Sequence, residues 1–348
     1  MPQLRVLVAD DSLAFRSILV DSLKKLPAAR IVALAANGQE AIDKFDDSSP
    51  DVITLDVEMP VLDGFQVLER LRPRLGQTAV IMVSAMTQRS AGATIRALEL
   101  GAFSFITKPE ETSPEKNREV LRQQLSAVFD AIAARRTPTP IETAPPLIAS
   151  PQRMPAAQPR IVGIGTSTGG PHALATLLPR LPGNLSVPVV LVQHMPPLFT
   201  ASLAETMAAK CAVKVVQAEH GMVLQPGTVY IAPGGRHLRV VDDGPAAHKR
   251  IELTSDPPEH FCRPSVDYMF RSLAATYRAQ AVGVILTGMG QDGAKGLLAM
   301  RQAGATTIGQ DAASCTVYGM PREAYQVGAV EVQLPLDRIA ERIAKLAG

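Results

Sequence analysis

A serine within a glycine-rich turn is the residue whose type and setting best suit covalent chemistry. The segment GTSTG, residues 165–169, matches the pattern G-x-S-x-G and continues directly from the apolar run RIVGIG. Glycines at such a strand-to-helix turn permit a tight bend that leaves the serine exposed at the sheet edge. Pro171 suits the first turn of the next helix, whose backbone N–H groups favour a developing oxyanion. Ser167 is therefore the candidate nucleophile.

A serine nucleophile needs a general base and an acid that orients that base. Among six histidines, His194 alone directly follows a long apolar run, VVLVQ, and Asp292 follows the run AVGVIL. We predict that Ser167, His194 and Asp292 form a triad, although a strand-end histidine and a helix N-cap aspartate are the ordinary alternatives. The order Ser, His, Asp differs from the Ser, Asp, His order of α/β-hydrolases, but triads are defined by geometry.

A second set of polar residues lies in the N-terminal third, where successive apolar runs end. Asp10 and Asp11 follow the first run, Asp56 ends the third, Ser84 ends the fourth, and Lys108 follows the fifth. Clustered carboxylates stay ionised most readily around a hard cation such as Mg²⁺. A carboxylate nucleophile, a cation and a sensing hydroxyl together suit phosphoryl transfer to Asp56. Taken singly, each aspartate is more readily explained as a helix N-cap or a loop residue, and only the whole set favours the metal site.

The elements that must position these residues alternate regularly along the chain. Five apolar, β-branched runs, each followed by a helical pattern, occupy the first 136 residues. Strands of this kind belong to a parallel sheet covered on both faces, and they collect ligands at their carboxyl ends. Alternating apolar runs and helical patterns resume after residue 158, and they predict a second sheet that is mainly parallel. We predict an α/β protein with two doubly wound domains, one flavodoxin-like and one Rossmann-like hydrolase domain.

A proline-rich segment without periodicity separates the two patterns. It predicts a first domain of residues 1–136, a linker of residues 137–158 and a second domain of residues 159–348. A length of 348 residues also favours two domains of ordinary size.

Composition restricts the partners and the compartment. Thirty-five basic and 33 acidic residues give a net charge of +2, which is too small to indicate a nucleic-acid footprint or a membrane-adsorbing surface, so small molecules or proteins are the expected partners. The three cysteines lie far apart, so reduced thiols are favoured over disulfides or zinc ligands. No apolar stretch reaches the roughly 20 residues that span a membrane. A cytoplasmic protein without direct membrane insertion is expected.

The motifs VLVADDS, TLDVEMPVLDGF, VSAMT and GAFSFITKP resemble receiver domains of two-component response regulators. The resemblance implies a histidine kinase as phosphodonor, Mg²⁺ as cofactor and a cis bond between Lys108 and Pro109. It also implies individual roles: Asp56 as phosphoryl acceptor, Asp10 and Asp11 as further metal ligands, and Ser84, Phe105 and Lys108 as switch residues.

The motifs IVGIGTSTGGP, VQHMP, FCRPSVDYMF, ILTGMGQDGAKG and SCTVYGMPREA are similar to the catalytic domain of chemotaxis protein-glutamate methylesterases. With the receiver motifs, the resemblance covers nearly all of the chain except the linker. It implies demethylation of glutamate esters on the cytoplasmic domains of methylated chemoreceptors, deamidation of glutamines, and hydrolysis without a cofactor. It also implies backbone oxyanion donors near Thr168 and Met289. Gln291 stands where the family commonly has asparagine.

Three alternatives stay open at this point. Gly163, Gly165 and Gly169 approach the spacing of a dinucleotide-binding loop, although the last glycine comes one residue late and no acidic residue ends the next strand. A purely phosphorylation-dependent interaction module would need no activated serine. A general esterase of the α/β-hydrolase kind would need an acid ahead of its histidine, such as Asp242 ahead of His260.

Overall fold

The computed structural model describes residues 3–109, 113–136, 158–242 and 249–347. The chain forms two compact units that divide between Thr137 and Pro138. The predicted linker, residues 137–158, lies outside the described residues apart from its last residue.

The first unit is a five-stranded parallel sheet with the strand order β2-β1-β3-β4-β5, the flavodoxin-like order. Its strands are β1 (Leu4–Ala9), β2 (Ala29–Ala35), β3 (Val52–Asp56), β4 (Ala79–Ser84) and β5 (Ser104–Thr107). Its helices are α1 (Leu13–Lys24), α2 (Gly38–Ser48), α3 (Gly64–Leu71), α4 (Gln88–Glu99) and α5 (Pro114–Arg136). Five strand–helix units were predicted, and the structure confirms them.

Burial and capping explain these elements. Every residue of β3 and of β4 is buried, as expected for central strands covered by helices on both faces. Helix α3 begins with a capping box, in which Asp63 and Gln66 exchange hydrogen bonds between side chain and backbone. This cap fixes where α3 begins, and hence where the loop between β3 and α3 lies.

The second unit is a seven-stranded parallel sheet with the order β14-β13-β12-β6-β7-β9-β8, together with the antiparallel hairpin β10-β11. Its strands are β6 (Ile161–Thr166), β7 (Val189–Gln193), β8 (Lys214–Gln217), β9 (Thr228–Ile231), β10 (His237–Val241), β11 (Arg250–Thr254), β12 (Ala281–Ile285), β13 (Thr306–Gln310) and β14 (Val332–Leu334). Its helices are α6 (Gly170–Leu177), α7 (Pro197–Ala208), α8 (Val266–Tyr277), α9 (Ala294–Gln302), α10 (Met320–Gln326) and α11 (Leu336–Ala347).

Two glycines of β6 are explained by close helix packing. A Cβ at position 163 would lie 2.4 Å from Leu273 Cδ1, and one at position 165 would lie 2.2 Å from Val266 Cγ1. Helix α8 therefore packs directly on the backbone of β6. Because this packing accounts for both glycines, they do not require a dinucleotide ligand.

The α/β class and the parallel sheets are confirmed, with two differences in detail. Strand β14 and helix α10 were not predicted, because three and seven residues are too few to show a period. The prediction of a cis bond between Lys108 and Pro109 was wrong. Among the described residues, the cis peptide bond lies between Arg263 and Pro264. Either isomer is accessible before proline, since the trans preference is only about 0.5–1 kcal/mol. No helix within the described ranges combines the length and hydropathy needed to cross a membrane.

Candidate active site and phosphorylation site

The ends of three neighbouring strands bring the candidate triad loops together. In the register of β6 and β7, Thr166 pairs with Gln193, so Ser167 and His194 are the next residues on adjacent strands. The backbone N–H of Ser167 donates to the carbonyl of Thr287, which follows β12, over 3.0 Å. The loops meet where the chain changes direction across the sheet, between the adjacent strands β6 and β12. Open α/β sheets bind ligands at such switch points.

The structure joins the candidate base to the candidate acid. His194 Nε2 lies 2.7 Å from Asp292 Oδ2. Because an ionised carboxylate only accepts hydrogen bonds, Nε2 carries the proton and the lone pair of the neutral ring lies on Nδ1. Both side chains are largely shielded from solvent, with 12% and 3% of their areas exposed. Asp292 thereby sets the tautomer of His194, which is the task that the acid of a triad performs.

Asp292 is held by a dense set of donors. Its Oδ1 accepts from Ser265 Oγ at 2.8 Å and from the backbone N–H of Asp267 at 2.9 Å. Its Oδ2 accepts from the backbone N–H of Val266 at 2.7 Å, in addition to His194. Donors at the beginning of α8 therefore stabilise the charge of a buried carboxylate.

These contacts shift both pKa values. Burial opposes the charge of Asp292, but the hydrogen bond from His194 and the backbone donors outweigh it and lower the pKa to about 2. Burial likewise opposes the charge of His194, yet the hydrogen bonds to Asp292 and to Cys262 raise its pKa to about 10. The pair is thus an ionised carboxylate beside a strongly basic imidazole.

Ser167 lies next to His194 in the strand register, but among the described contacts it is not hydrogen-bonded to that side chain. No hydrogen bond joins the Ser167 hydroxyl to His194 in the part of the chain that the structure describes. His194 Nδ1 instead lies 3.6 Å from Cys262 Sγ. Catalytic hydrogen bonds often form fully only when substrate is bound. The structure therefore pairs His194 with Asp292 on one side and with Cys262 on the other.

The predicted oxyanion donors, Thr168 and Met289, belong to the two segments that adjoin Ser167. Thr168 follows it in the chain, and a Cβ at position 288, next to Met289, would lie 2.8 Å from Ser167 Cβ. Among the described contacts, neither the N–H of Thr168 nor that of Met289 donates a hydrogen bond. Both N–H groups are thus available as donors to an oxyanion formed at Ser167, which is what their predicted role requires.

Sequence reasoning missed the residues that support the pair. Cys262 contacts His194, and Ser265 donates a hydrogen bond to Asp292. Both lie in FCRPSVDYMF, which was recognised as a motif without roles for its residues. A signal for Ser265 was available, because it directly precedes the segment that forms α8, and a serine before a helix is a typical N-cap.

Two further clusters in this unit are satisfied by their own hydrogen bonds and ion pairs. His260, Asp267 and Asp292 each offer one ligand atom within 4.8 Å of the others, but each carboxylate oxygen of Asp292 already accepts two hydrogen bonds. Asp242, the acid that a general esterase would use, pairs with Lys249 at 3.2 Å, whereas His260 pairs with Asp267 at 3.0 Å.

In the first unit, the acidic residues and the lysine converge as predicted. Lys108 Nζ lies 2.7 Å from Asp56 Oδ2 and 3.0 Å from Asp10 Oδ2. Burial raises the pKa of Asp56 to about 6, with the charge of Asp10 adding to the effect and Lys108 opposing it. Ion pairs with Asp56 and Asp10 raise the pKa of Lys108 despite its burial. The site therefore concentrates more negative charge than one lysine neutralises.

The same site has the ligands for a hard cation. Asp10, Asp11 and Asp56 each offer an oxygen, and these oxygens lie within 4.8 Å of one another. Asp10 Oδ2 is buried and accepts no hydrogen bond in the described structure, although Lys108 lies at ion-pair distance. A buried carboxylate oxygen of this kind is satisfied by Mg²⁺, so the residues fit the metal.

Two of the three switch candidates, Ser84 and Phe105, lie on neighbouring strands. Ser84 ends β4, and its buried hydroxyl accepts from Thr94 Oγ1 at 2.9 Å. Phe105 is half-buried in β5, beside Met82 in the strand register. Both lie at the carboxyl side of the sheet with Asp56.

The first unit is flavodoxin-like and has an acidic pocket. The second is a parallel α/β unit with a serine, a histidine and an aspartate at its switch point. Together these features define a class of protein, in which a receiver domain is joined to a hydrolase domain. Comparison with known proteins narrows this class. Residues 6–118 match the response regulator receiver domain, and residues 162–343 match the CheB methylesterase family. The chain belongs to the family of receiver-linked CheB methylesterases.

Full-length relatives and a solved structure agree. A protein-glutamate methylesterase/protein-glutamine glutaminase of Desulfotalea psychrophila is 42% identical, covering 99% of this chain and 98% of the relative. One of Agrobacterium fabrum is 45% identical, covering 98% and 96%. The crystal structure of the Thermotoga maritima CheB methylesterase catalytic domain is 39% identical with a TM-score of 0.53, covering 55% of this chain and all of that one.

Proposed function

We propose that this enzyme hydrolyses glutamate methyl esters on the cytoplasmic domains of chemoreceptors, releases methanol, and deamidates receptor glutamines. The family and its full-length relatives support this substrate class. The observation that carries the chemistry is the hydrogen bond between His194 and Asp292, one strand away from Ser167. Such hydrolysis yields the free glutamate required for sensory adaptation in chemotaxis.

The mechanism follows from the tautomer that Asp292 imposes. His194 Nδ1 accepts the hydroxyl proton of Ser167 as the serine oxygen bonds to the ester carbonyl carbon, and the carbonyl oxygen becomes an oxyanion. The N–H groups of Thr168 and Met289 stabilise that oxyanion. Collapse breaks the bond to methoxide, which leaves as methanol with the proton from His194. Water then attacks the acyl-enzyme by the same route and releases glutamate. Attack on a glutamine amide would release ammonia instead.

Phosphorylation of the first unit supplies the regulation in this proposal. Asp56 accepts the phosphoryl group from a histidine kinase, and Lys108 neutralises part of its charge. Mg²⁺, held by Asp10, Asp11 and Asp56, supplies charge neutralisation of the phosphoryl oxygens when it is bound. Ser84 and Phe105 respond to the product, and the equilibrium shifts from an inhibited to an active hydrolase. A cytoplasmic location belongs to the same proposal, since its phosphodonor and the receptor domains lie there.

Methanol release from methylated receptor tests the proposal. The wild type should release methanol, and Ser167→Ala should lower the rate by at least about 10³-fold, because the nucleophile is lost. Ser186→Ala, at a serine whose hydroxyl bonds to the carbonyl of Ala347, is the matched control and should retain the rate. Full methanol release by Ser167→Ala would refute the assignment.

A further inference from the structure

Three exposed apolar side chains lie around the candidate catalytic loops, and together they form what we term the apolar rim: Leu198, Phe261 and Met289. Their exposed fractions are 38%, 104% and 37%. Among the described residues of the second unit, Val327 is the only other large hydrophobic residue exposed to this degree. Exposed apolar side chains on segments that adjoin a catalytic site are typical of an interaction site.

Phe261 is held in solvent by the backbone of a tight turn. Glu259 and Cys262 exchange backbone hydrogen bonds of 3.1 and 2.8 Å across it. The two residues between them, His260 and Phe261, have φ angles of 50° and 62°. Bulky residues avoid this left-handed region, so the fold sustains a strained turn that presents an aromatic ring to solvent.

Side-chain contacts fix this turn from both ends. His260 Nε2 lies 3.0 Å from the buried carboxylate of Asp267, and Glu259 pairs with Arg271 at 2.5 Å. Both partners belong to α8, whose first turn also holds Asp292. The turn is therefore anchored on the same helix that organises the catalytic acid.

The turn also contacts the candidate base. Cys262, the residue after Phe261, lies 3.6 Å from His194 through its sulfur atom. Arg263, one residue further, accepts a backbone hydrogen bond of 2.8 Å from Gly235. The exposed ring thus belongs to a segment that is bonded to the site on one side and to a neighbouring loop on the other.

The other two members of the rim lie equally close to the site in the chain. Leu198 is in the first turn of α7, four residues after His194. Met289 follows Gly288, the residue that approaches Ser167 Cβ. Each member of the rim therefore lies within a few residues of a position that contacts the serine or the histidine.

From this arrangement we infer that the apolar rim is the surface on which the substrate polypeptide rests, with Phe261 as its principal contact. The inference rests on the proposed function. A glutamyl ester reaches Ser167 only at the tip of a side chain, so the polypeptide on either side of it must cover the loops around the serine. The rim is uncharged, so it selects a polypeptide with apolar side chains beside the modified glutamate.

Comparing a protein substrate with a small ester tests the inference. Phe261→Ala should lower kcat/KM for methylated receptor at least about fivefold, mainly through KM, because an exposed aromatic contact is lost. Hydrolysis of p-nitrophenyl acetate, which is too small to span the rim, should stay within about twofold of the wild-type rate. Leu198→Ala should act in the same direction, and Phe261→Tyr should restore most of the receptor activity.

Val327→Ala is the matched control, since it removes an exposed apolar side chain outside the rim, and it should change neither activity. An unchanged KM for receptor in Phe261→Ala would overturn the inference. Equal losses on both substrates would also overturn it, because they indicate a structural role. A wild type that hydrolyses the small ester but not the receptor would instead refute the proposed function itself.

Discussion

The imidazole of His194 is the group on which the chemistry depends, because its two nitrogens have different tasks. Nε2 donates to Asp292, which leaves the Nδ1 lone pair for a proton from Ser167. A carboxylate that accepts four hydrogen bonds keeps its charge even when it is buried. That charge in turn raises the basicity of the ring.

Replacing the carboxylate should therefore change the pH dependence. The ring accepts a proton only when it is neutral, so kcat/KM rises with pH through the pKa of His194, which Asp292 raises. In Asp292→Asn the raising contact is lost, so the midpoint should move to lower pH. The rate should fall by about 10³–10⁴-fold. Asp242→Asn is the control, and kcat/KM of a small ester from about pH 5 to about pH 11 gives the profile. An unmoved midpoint would contradict the proposed role.

Much of this site was predictable at the residue scale, but its contacts were not. Ser167, His194 and Asp292 each follow an apolar run, and parallel strands place such positions on one edge. That Asp292 meets His194 is observed. The roles of Cys262 and Ser265 depended on where α8 begins relative to Asp292, which no local pattern specifies.

Helix α8 is the element that links the sheet to the acid. It packs on the glycines of β6, and its first turn donates to Asp292. Sequence periodicity predicted the helix and the strand separately, since each has its own period. The contact between them is seen only in the structure, where Gly163 and Gly165 leave the space that α8 occupies. Strand β14 and helix α10 were missed because short elements carry little signal.

A methyl group at position 165 should separate the strand from the helix. It would lie 2.2 Å from Val266, a fully buried β-branched residue with few rotamers, so the helix must shift. Gly165→Ala should lower the free energy of unfolding of the second unit by about 1–3 kcal/mol. Gly92→Ala, in the open face of α4, should instead raise the stability of the first unit by about 0.5–1 kcal/mol. Urea unfolding measures both, and equal effects would contradict the packing argument.

On the scale of the whole molecule, a receiver and a hydrolase in one chain imply that a charge change in one unit controls ester cleavage in the other. Composition and the proline-rich segment indicated two units, and the structure divides the chain between Thr137 and Pro138. Sequence patterns do not encode how two independently packed units act on each other, because no periodicity crosses between them. Regulation therefore needs a functional measurement.

Phosphorylation should activate the full chain through Asp56 alone. With Mg²⁺ and acetyl phosphate, methanol release by the wild type should rise severalfold, because the phosphoryl group shifts a two-state equilibrium. Asp56→Asn should show no rise, whereas Asp47→Asn, at an exposed aspartate of the same unit, should respond normally. Activation of Asp56→Asn by acetyl phosphate would place the phosphorylation elsewhere.

The most direct test of the account is whether His194 activates Ser167. A fluorophosphonate probe reacts with activated serines, and peptide mass spectrometry identifies the labelled residue. The account predicts labelling of Ser167 in the wild type and a rate at least about 10³-fold lower in His194→Ala. Labelling at another serine, or equally fast labelling of His194→Ala, would contradict it.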